Sequence, residues 1–396
     1  MVPNGWSKAK FSEITEIGNG QVDPKTEPYS SMMHIGPENV VSHTGQIINV
    51  KSCKESDLIS GKYEFDENAI VYSKIRPNLN KVCKPNFKGV CSADMYPIWV
   101  KNDLAKDYLF QYMLGPQFNK VAIAMSMRTG MPKINRNDLN TLLILLPPLV
   151  EQKKISQILS IWDQAISATE KLLENSQQQK KALMQQLLTG KKRLLDENGV
   201  RFSGVWKHIK LRSLIKEIKR DKEENPNNIE LLTVKLHNKG AVASGKFPNS
   251  TEGGRPYYKR FAGELIIGRQ NLHNGGVAIV PSECNGLIAS NAISSFEALN
   301  DCDINFILSI MSTSHFRYLI DNLTGGTGQK EVSVRELLNV FVLIPCVEEQ
   351  QKIAKVLTIA DQEIETLQKK LDCLKQEKKA LMQQLLTGKK RVKVAA

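Results

Sequence analysis

Two long stretches of this chain carry apolar residues at alternating steps of four and three. From Glu151 to Leu188 there is no proline or glycine, and the stripe runs Ile155, Leu159, Trp162, Ile166, Leu173, Leu183, Leu187. From Glu349 to Leu386 it returns as Ile353, Leu357, Ala360, Ile364, Leu367, Leu371, Leu374, Leu381, Leu385. A period of 3.5 held over several heptads predicts a coiled-coil seam, not an ordinary surface helix. Pro147, Pro148 and Pro345 stand just upstream, where proline is tolerated. Gly190 and Gly388 follow as C-terminal caps, and the adjoining Lys-Lys-Arg suits the negative helix end. Each helix would span roughly 57 Å at 1.5 Å per residue. Elsewhere the pattern breaks into short runs. Ala69–Tyr72, Met95–Val100, Glu264–Gly268 and Val277–Val280 read as strands, and Asp107–Phe118 and Asp303–Leu319 as short helices.

The two seams belong to a duplication. KKALMQQLLTGKKR fills Lys180 to Arg193 and again Lys378 to Arg391, an offset of 198 in a chain of 396 residues. Upstream, Pro147, Glu151, Gln152, Lys154, Ile155, Leu159, Asp163 and Gln164 find identical partners at the same offset. Thr129-Gly130 and Thr327-Gly328 extend the echo, and Trp6 and Trp206 begin the two halves at nearly the same place. Each half has a variable front and a constant tail. Identical seams in one chain give each other a high effective concentration, so the helices are expected to pack on one another rather than each on its own domain. The second helix must run back to meet the first. The expected fold is α+β: two globular domains joined by two long antiparallel coiled-coil helices, a dumbbell with a pseudo-twofold internal repeat. The expected boundaries are a first domain over 1–146, a central helix over 147–195, a second domain over 196–344 and a C-terminal helix over 345–396.

Composition narrows the function. A formal net charge of +13 favours an anionic partner, most simply nucleic acid. Eight basic and four acidic residues lie between Glu151 and Arg193, and ten and six between Glu349 and Arg391, so much of the excess sits on the helices. Helical lysines are often only a solvated face. Seven dispersed cysteines without a C-x-x-C pair, and no visible signal peptide, point to a reduced, cytoplasmic protein. The longest apolar run, around Leu142 to Leu149, is too short to cross a bilayer, so no membrane role is expected.

Motifs for catalysis are missing. Gly240 to Lys246 resembles a phosphate loop but continues into Phe247 instead of Ser or Thr, and reads as a turn. Gly325-Gly326-Thr327-Gly328 lacks dinucleotide-binding spacing and reads as a loop. No H-E-x-x-H, G-x-S-x-G or zinc-spaced Cys/His cluster occurs, and no metal site is expected.

The fronts offer a different chemistry. Lys74, Arg76 and Asn78 follow a strand in the first half, as Arg269, Gln270 and Asn271 do in the second. Arginine reads guanine, and Asn or Gln reads adenine, through paired hydrogen bonds in the major groove. Lys81, Lys84 and Lys88 lie near enough in sequence to meet phosphates. Arg128 with Lys133, and Lys330, flank the two Thr-Gly turns. In isolation each stretch reads equally as a polar surface loop.

The order of parts resembles the specificity subunit of a type I restriction–modification enzyme along the whole length. The resemblance rests on Thr129 to Ile134 leading to L-P-P-L-V-E-Q-K-K-I (Leu146 to Ile155), and on Thr327 to Val332 leading to Ile344 to Ile353. The L-M-Q-Q-L-L-T-G-K-K endings are also typical. Cys346 replaces the second proline and Lys330 replaces Pro132 in the second copy. The resemblance implies two target recognition domains, each reading half of a split site in double-stranded DNA. It implies helices that set the gap and dock two modification subunits. The chain would be non-catalytic. S-adenosylmethionine, ATP and magnesium would belong to the modification and restriction subunits, which carry adenine methyltransferase and ATP-dependent endonuclease activity. The rival readings are a coiled-coil scaffold with two protein-binding heads, and an enzyme whose motifs have drifted.

Overall fold

The computed structural model describes residues 2–101, 103–126, 132–249, 254–299, 302–323 and 331–393. The chain divides into two compact units, 1–171 with 369–396, and 172–368. Two 39-residue helices dominate: a central helix, Leu149–Leu187, and a C-terminal helix, Val347–Leu385. Both ends of each agree with the proline and glycine punctuation. Gly190 and Gly388 take positive φ, 70° and 69°, in the left-handed region that glycine enters without a Cβ clash. The N–H groups of Lys192 and Lys390 then reach back six residues to the carbonyls of Gln186 and Gln384. Orphan carbonyls at both helix ends are satisfied the same way.

In the first unit a four-stranded antiparallel sheet runs in the order Thr15–Ile17, Met95–Val100, Ile70–Ser73, Val82–Cys83. The second unit repeats that order with Ile215–Glu217, Ile293–Ala298, Leu265–Gly268 and Val277–Ile279. The surrounding strands differ. The first unit adds a four-stranded sheet in which Met33–Ile35 pairs parallel with Gly89–Ser92. Among the described residues the second adds two antiparallel two-stranded pairs, Leu232–Val234 with Ala241–Ala243 and Tyr257–Lys259 with Ile288–Ser290. Gly240 to Lys246 is therefore a strand between turns rather than one turn. Each unit delivers its chain to a long helix through a strand paired with the start of its own front. These pairs are Ser7–Lys10 with Leu143–Leu146, and Lys207–Lys210 with Phe341–Ile344.

Each short helix expected in the fronts is two helices. Lys106–Leu114 and Pro116–Ser126 are separated by Gly115, and Pro116 supplies the first helical residue, where its missing N–H costs nothing. Ile304–Met311 and Ser314–Leu323 are separated at Thr313, whose hydroxyl accepts from the Phe316 N–H as an N-cap would.

The seam residues do two jobs. In the first unit Ile155 and Leu159 of the central helix and Leu385 of the C-terminal helix are buried in one core with Phe11, Tyr72, Tyr108 and Phe118 of the front, and Leu381 packs against it. In the second unit Leu187, Ile353 and Leu357 share a core with Phe296, Phe306 and Phe316, and Leu183 packs against that. The helices therefore pack on each other and on the fronts together. Leu173 and Leu371 are buried, whereas Trp162, Ile166 and Ile364 are only half-buried. The stripe is deepest where a front closes over it.

Ion pairs show the helices antiparallel within each unit. In the first, Lys378 bonds Asp163, Lys375 lies 2.8 Å from Glu170, and Arg391 bonds Glu151. In the second, Lys180 bonds Asp361 and Arg193 lies 2.7 Å from Glu349. Residue numbers rise on one helix as they fall on the other. Shifting Asp163–Lys378 and Glu151–Arg391 by the 198-residue repeat reproduces Asp361–Lys180 and Glu349–Arg193.

Candidate nucleic-acid interface

The Glu-Gln of each repeat fixes where the front meets the helix. Glu151 is buried and receives the Nε of Arg391 at 2.9 Å, with Nη2 on its other oxygen. The Trp6 indole donates to the same carboxylate at 3.4 Å, and the Arg391 guanidinium stands 5.7 Å from the centre of that ring. Its hydrogen bonds with Arg391 hold the Glu151 carboxyl below the usual glutamate range. In the second unit Arg193 forks onto fully buried Glu349 with two 2.7 Å bonds and stands 5.8 Å from the Trp206 ring centre. Bonding to Glu349 raises the Arg193 pKa. The neighbouring glutamines are buried too. Gln152 donates to Asp103 O and Pro147 O and accepts from Ala105 N–H, and Gln350 donates to Pro345 O and accepts from Asp303 N–H. These motif residues anchor; they are not placed to touch a ligand.

The loops that follow the third strand of each shared sheet are another matter. In the first unit Ile134 N–H donates to Lys74 O at 2.9 Å, Arg76 N–H donates to Pro132 O at 2.8 Å, and Ile75 bridges Lys133. This pairing joins two basic segments that are distant in sequence. Arg76, Asn78 and Lys133 are exposed. Arg76 sits at φ 48°, a left-handed position held by the pairing. The Lys74 ammonium stands 5.2 Å from the Tyr96 ring centre, and burial, with Lys133 nearby, lowers its pKa. Three other expected contacts are already engaged. Lys81 donates to Pro37 O at 2.6 Å, and Lys84 is paired with Asp107. Lys88 pairs with Glu64 at 2.8 Å.

In the second unit Val332 N–H donates to Arg269 O at 3.3 Å, the same cross-link in the second copy. Arg269–Asn274 is a 3-10 turn, and Asn271 is exposed at its surface. Arg269 Nη2 bonds Asn291 O at 2.9 Å and lies 3.0 Å from Glu331. Gln270 donates to the other oxygen of Glu331 at 3.4 Å. Arg128 and Lys330, with the two Thr-Gly turns, lie outside the described residues. Sequence reasoning missed Glu331, and Arg136, whose guanidinium donates to Ile17 O and Gly18 O at 2.7 Å and covers the Tyr96 ring. The repeat offset from Lys133 marks the Glu331 position; nothing in the sequence marks its partners.

Among the described residues no group of three or more His, Cys, Asp or Glu could hold a metal, and no helix is long and apolar enough to cross a membrane. The seven cysteines are free.

Comparison with known proteins agrees with this layout. The type I restriction–modification DNA specificity domain family matches twice, over residues 3–176 and 205–376. The EcoDI specificity subunit of Escherichia coli is 39% identical over 39% of this chain and 34% of its own length, so this chain matches only about a third of that relative. The MjaVIII specificity subunit of Methanocaldococcus jannaschii is 28% identical over 77% of this chain and 75% of its own length. The S subunit of the type I system from M. genitalium has a similar fold, with a TM-score of 0.63 at 14% identity, covering 98% of this chain and 97% of that one. A chain from a structure of complex assembly and conformational transition in the type I R-M system aligns with a TM-score of 0.54 at 16% identity over 98% and 99%. With two family matches that take in both fronts and most of each long helix, the chain belongs to the type I restriction–modification DNA specificity domain family.

Proposed function

We propose that this chain is the non-catalytic subunit that chooses the DNA sequence for a type I restriction–modification complex. Residues 1–146 and 196–344 are the two target recognition domains, and each reads one half of a split site. Residues 147–195 and 345–396 set the gap and dock two modification subunits; restriction subunits join that core. Methyl transfer with S-adenosylmethionine, and ATP- and magnesium-dependent cleavage, belong to those partners, and the complex works in the cytoplasm. The observation that carries the reading is a contrast in the repeat. Divergent fronts each join two distant segments by backbone pairing, Lys74 and Arg76 beside Lys133 in one and Arg269 beside Glu331 in the other, while the helix ends are identical, as two copies of one partner require.

Lys74, Arg76, Asn78, Lys133, Arg269, Gln270 and Asn271 are the readers or phosphate contacts this reading favours, with Arg128 and Lys330 beside them in sequence. Lys81 and Lys84 would have to leave the partners they hold. The test is genome-wide adenine methylation in a methylation-free host that carries this chain with its modification subunit. A split motif that vanishes when this gene is deleted is expected. No motif from an active, bound modification subunit would return the chain to the scaffold reading, as would affinity for duplex DNA that does not fall with salt. Seven residues inserted between Ser176 and Lys181 should change the unspecified gap and leave both half-sites intact.

A further inference from the structure

The two cross-linked loops carry opposite charge at one repeat position. Lys133 and Glu331 are separated by the 198-residue offset, and each precedes the residue whose N–H makes the cross-link. In the first unit the position adds a cation to Lys74 and Arg76. In the second, Glu331 neutralises Arg269 and also holds Gln270. An arginine already paired with a carboxylate is a poor phosphate ligand, because a phosphate would have to displace that carboxylate and would meet its charge. The same pair suits a base edge. Arg269 Nη1 has no partner among the described residues, and its Nη2 is oriented from two sides by Glu331 and Asn291 O. Glu331 accepts one hydrogen bond, from Gln270, and stands 3.0 Å from Arg269 Nη2, so its oxygens keep lone pairs for a further donor.

A G·C pair presents two acceptors on guanine beside one amino donor on cytosine in the major groove, whereas an A·T pair alternates acceptor, donor, acceptor. Arginine beside glutamate offers donors next to an acceptor, which matches the first pattern and not the second. Building on the DNA-specificity reading above, we infer that Glu331 is a specificity-determining residue: it accepts from the cytosine amino group of one G·C pair in the second domain's half-site and positions Arg269 on the guanine of that pair. At the equivalent position of the first unit Lys133, beside Lys74 and Arg76, contacts phosphate instead.

The experiment is methylation mapping with the intact complex for the wild type, Glu331→Gln and Arg269→Ala. Preference for one G·C pair, in one half-site, should drop roughly tenfold or more in Glu331→Gln. Arg269→Ala should relax the same pair, and the other half-site and the gap should stay unchanged. If Glu331→Gln methylates nothing, duplexes that differ only at that pair are compared for binding to the assembled variant. Lost discrimination supports the inference, and weakening that is equal for all duplexes overturns it. An unchanged motif in Glu331→Gln also overturns it, as do changes in both half-sites or a wild-type motif without a G·C pair in the affected half-site. All of these leave the DNA-specificity reading standing. A wild-type complex with no split motif is a different result, which removes that reading and this inference with it.

Discussion

At the helix ends the two units are built alike. Arg391 holds Glu151 beside Trp6, and Arg193 holds Glu349 beside Trp206. At the loops they part: Lys133 of one is Glu331 of the other, although the backbone cross-link is common to both. Geometry is kept in both places, and chemistry only in one. A contact that must be made twice with the same partner tolerates little change, whereas a loop that reads sequence needs a fixed frame and free choice of side chains. The likeness at the helix ends is not complete. The Trp6 indole donates to Glu151, but Trp206 Nε1 is buried with no partner among the described residues. Side-chain exposure also differs, 41% for Arg391 against 19% for Arg193.

The largest expected effect tests whether the seams serve both units equally. Leu385→Asp and Leu187→Asp each put a carboxylate into a core, and each should cost about 3–5 kcal/mol and impair assembly with the modification subunit. Urea unfolding and co-purification measure this, and an undisturbed Leu385→Asp protein would sink the shared-core account. Next, Arg193→Ala strands fully buried Glu349 and should cost about 3 kcal/mol. Arg391→Ala should cost less, since that arginine is more exposed; the reverse order in thermal melts would show that exposure does not rank the two ends.

A pH difference separates the fronts. Burial pushes the His34 pKa down to about 4, with Lys62 adding to the effect. The unfolded chain binds this proton below about 6.5 and the folded one does not, so first-unit stability should fall by up to roughly 3 kcal/mol as pH drops from 6.5 to 4. His34→Gln should flatten that slope in acid melts. Glu151 adds a second loss at lower pH. Its folded pKa is depressed, so its contribution is complete above about 4.5 and disappears as pH falls through the folded value. The smallest effect concerns the first loop. Lys133→Ala should lower the salt slope of DNA binding by about one, with the sequence preference unaltered. A changed motif would make Lys133 a reader like the residues of the second loop.

Much of this was legible in the sequence where the signal is local or repeated. The helix extents, the glycine caps and the antiparallel register follow from punctuation and from the offset. The central strands Ile70–Ser73 and Leu265–Gly268 follow from short β-branched runs. The breaks at Gly115 and Thr313 leave no mark in the apolar period, which continues across both. The site was legible only as two basic stretches per half. What joins them is backbone pairing between residues nearly 60 positions apart, such as Arg76 with Pro132, and no local pattern encodes it. Nor does sequence reveal that Lys81 and Lys84 are occupied, since Pro37 and Asp107 reach them only through the fold.

The core of the first unit has a consequence for the order of events during synthesis. Phe11, Tyr108 and Ile155 wait for Met382, Leu385 and Leu386, and Glu151 waits for an arginine 240 residues later. At 5–20 residues per second, that delay is roughly 10–50 s. The front that leaves the ribosome first is thus the last to be finished. Until the C-terminal helix arrives it carries an open apolar face, and a chaperone or protease would meet it there.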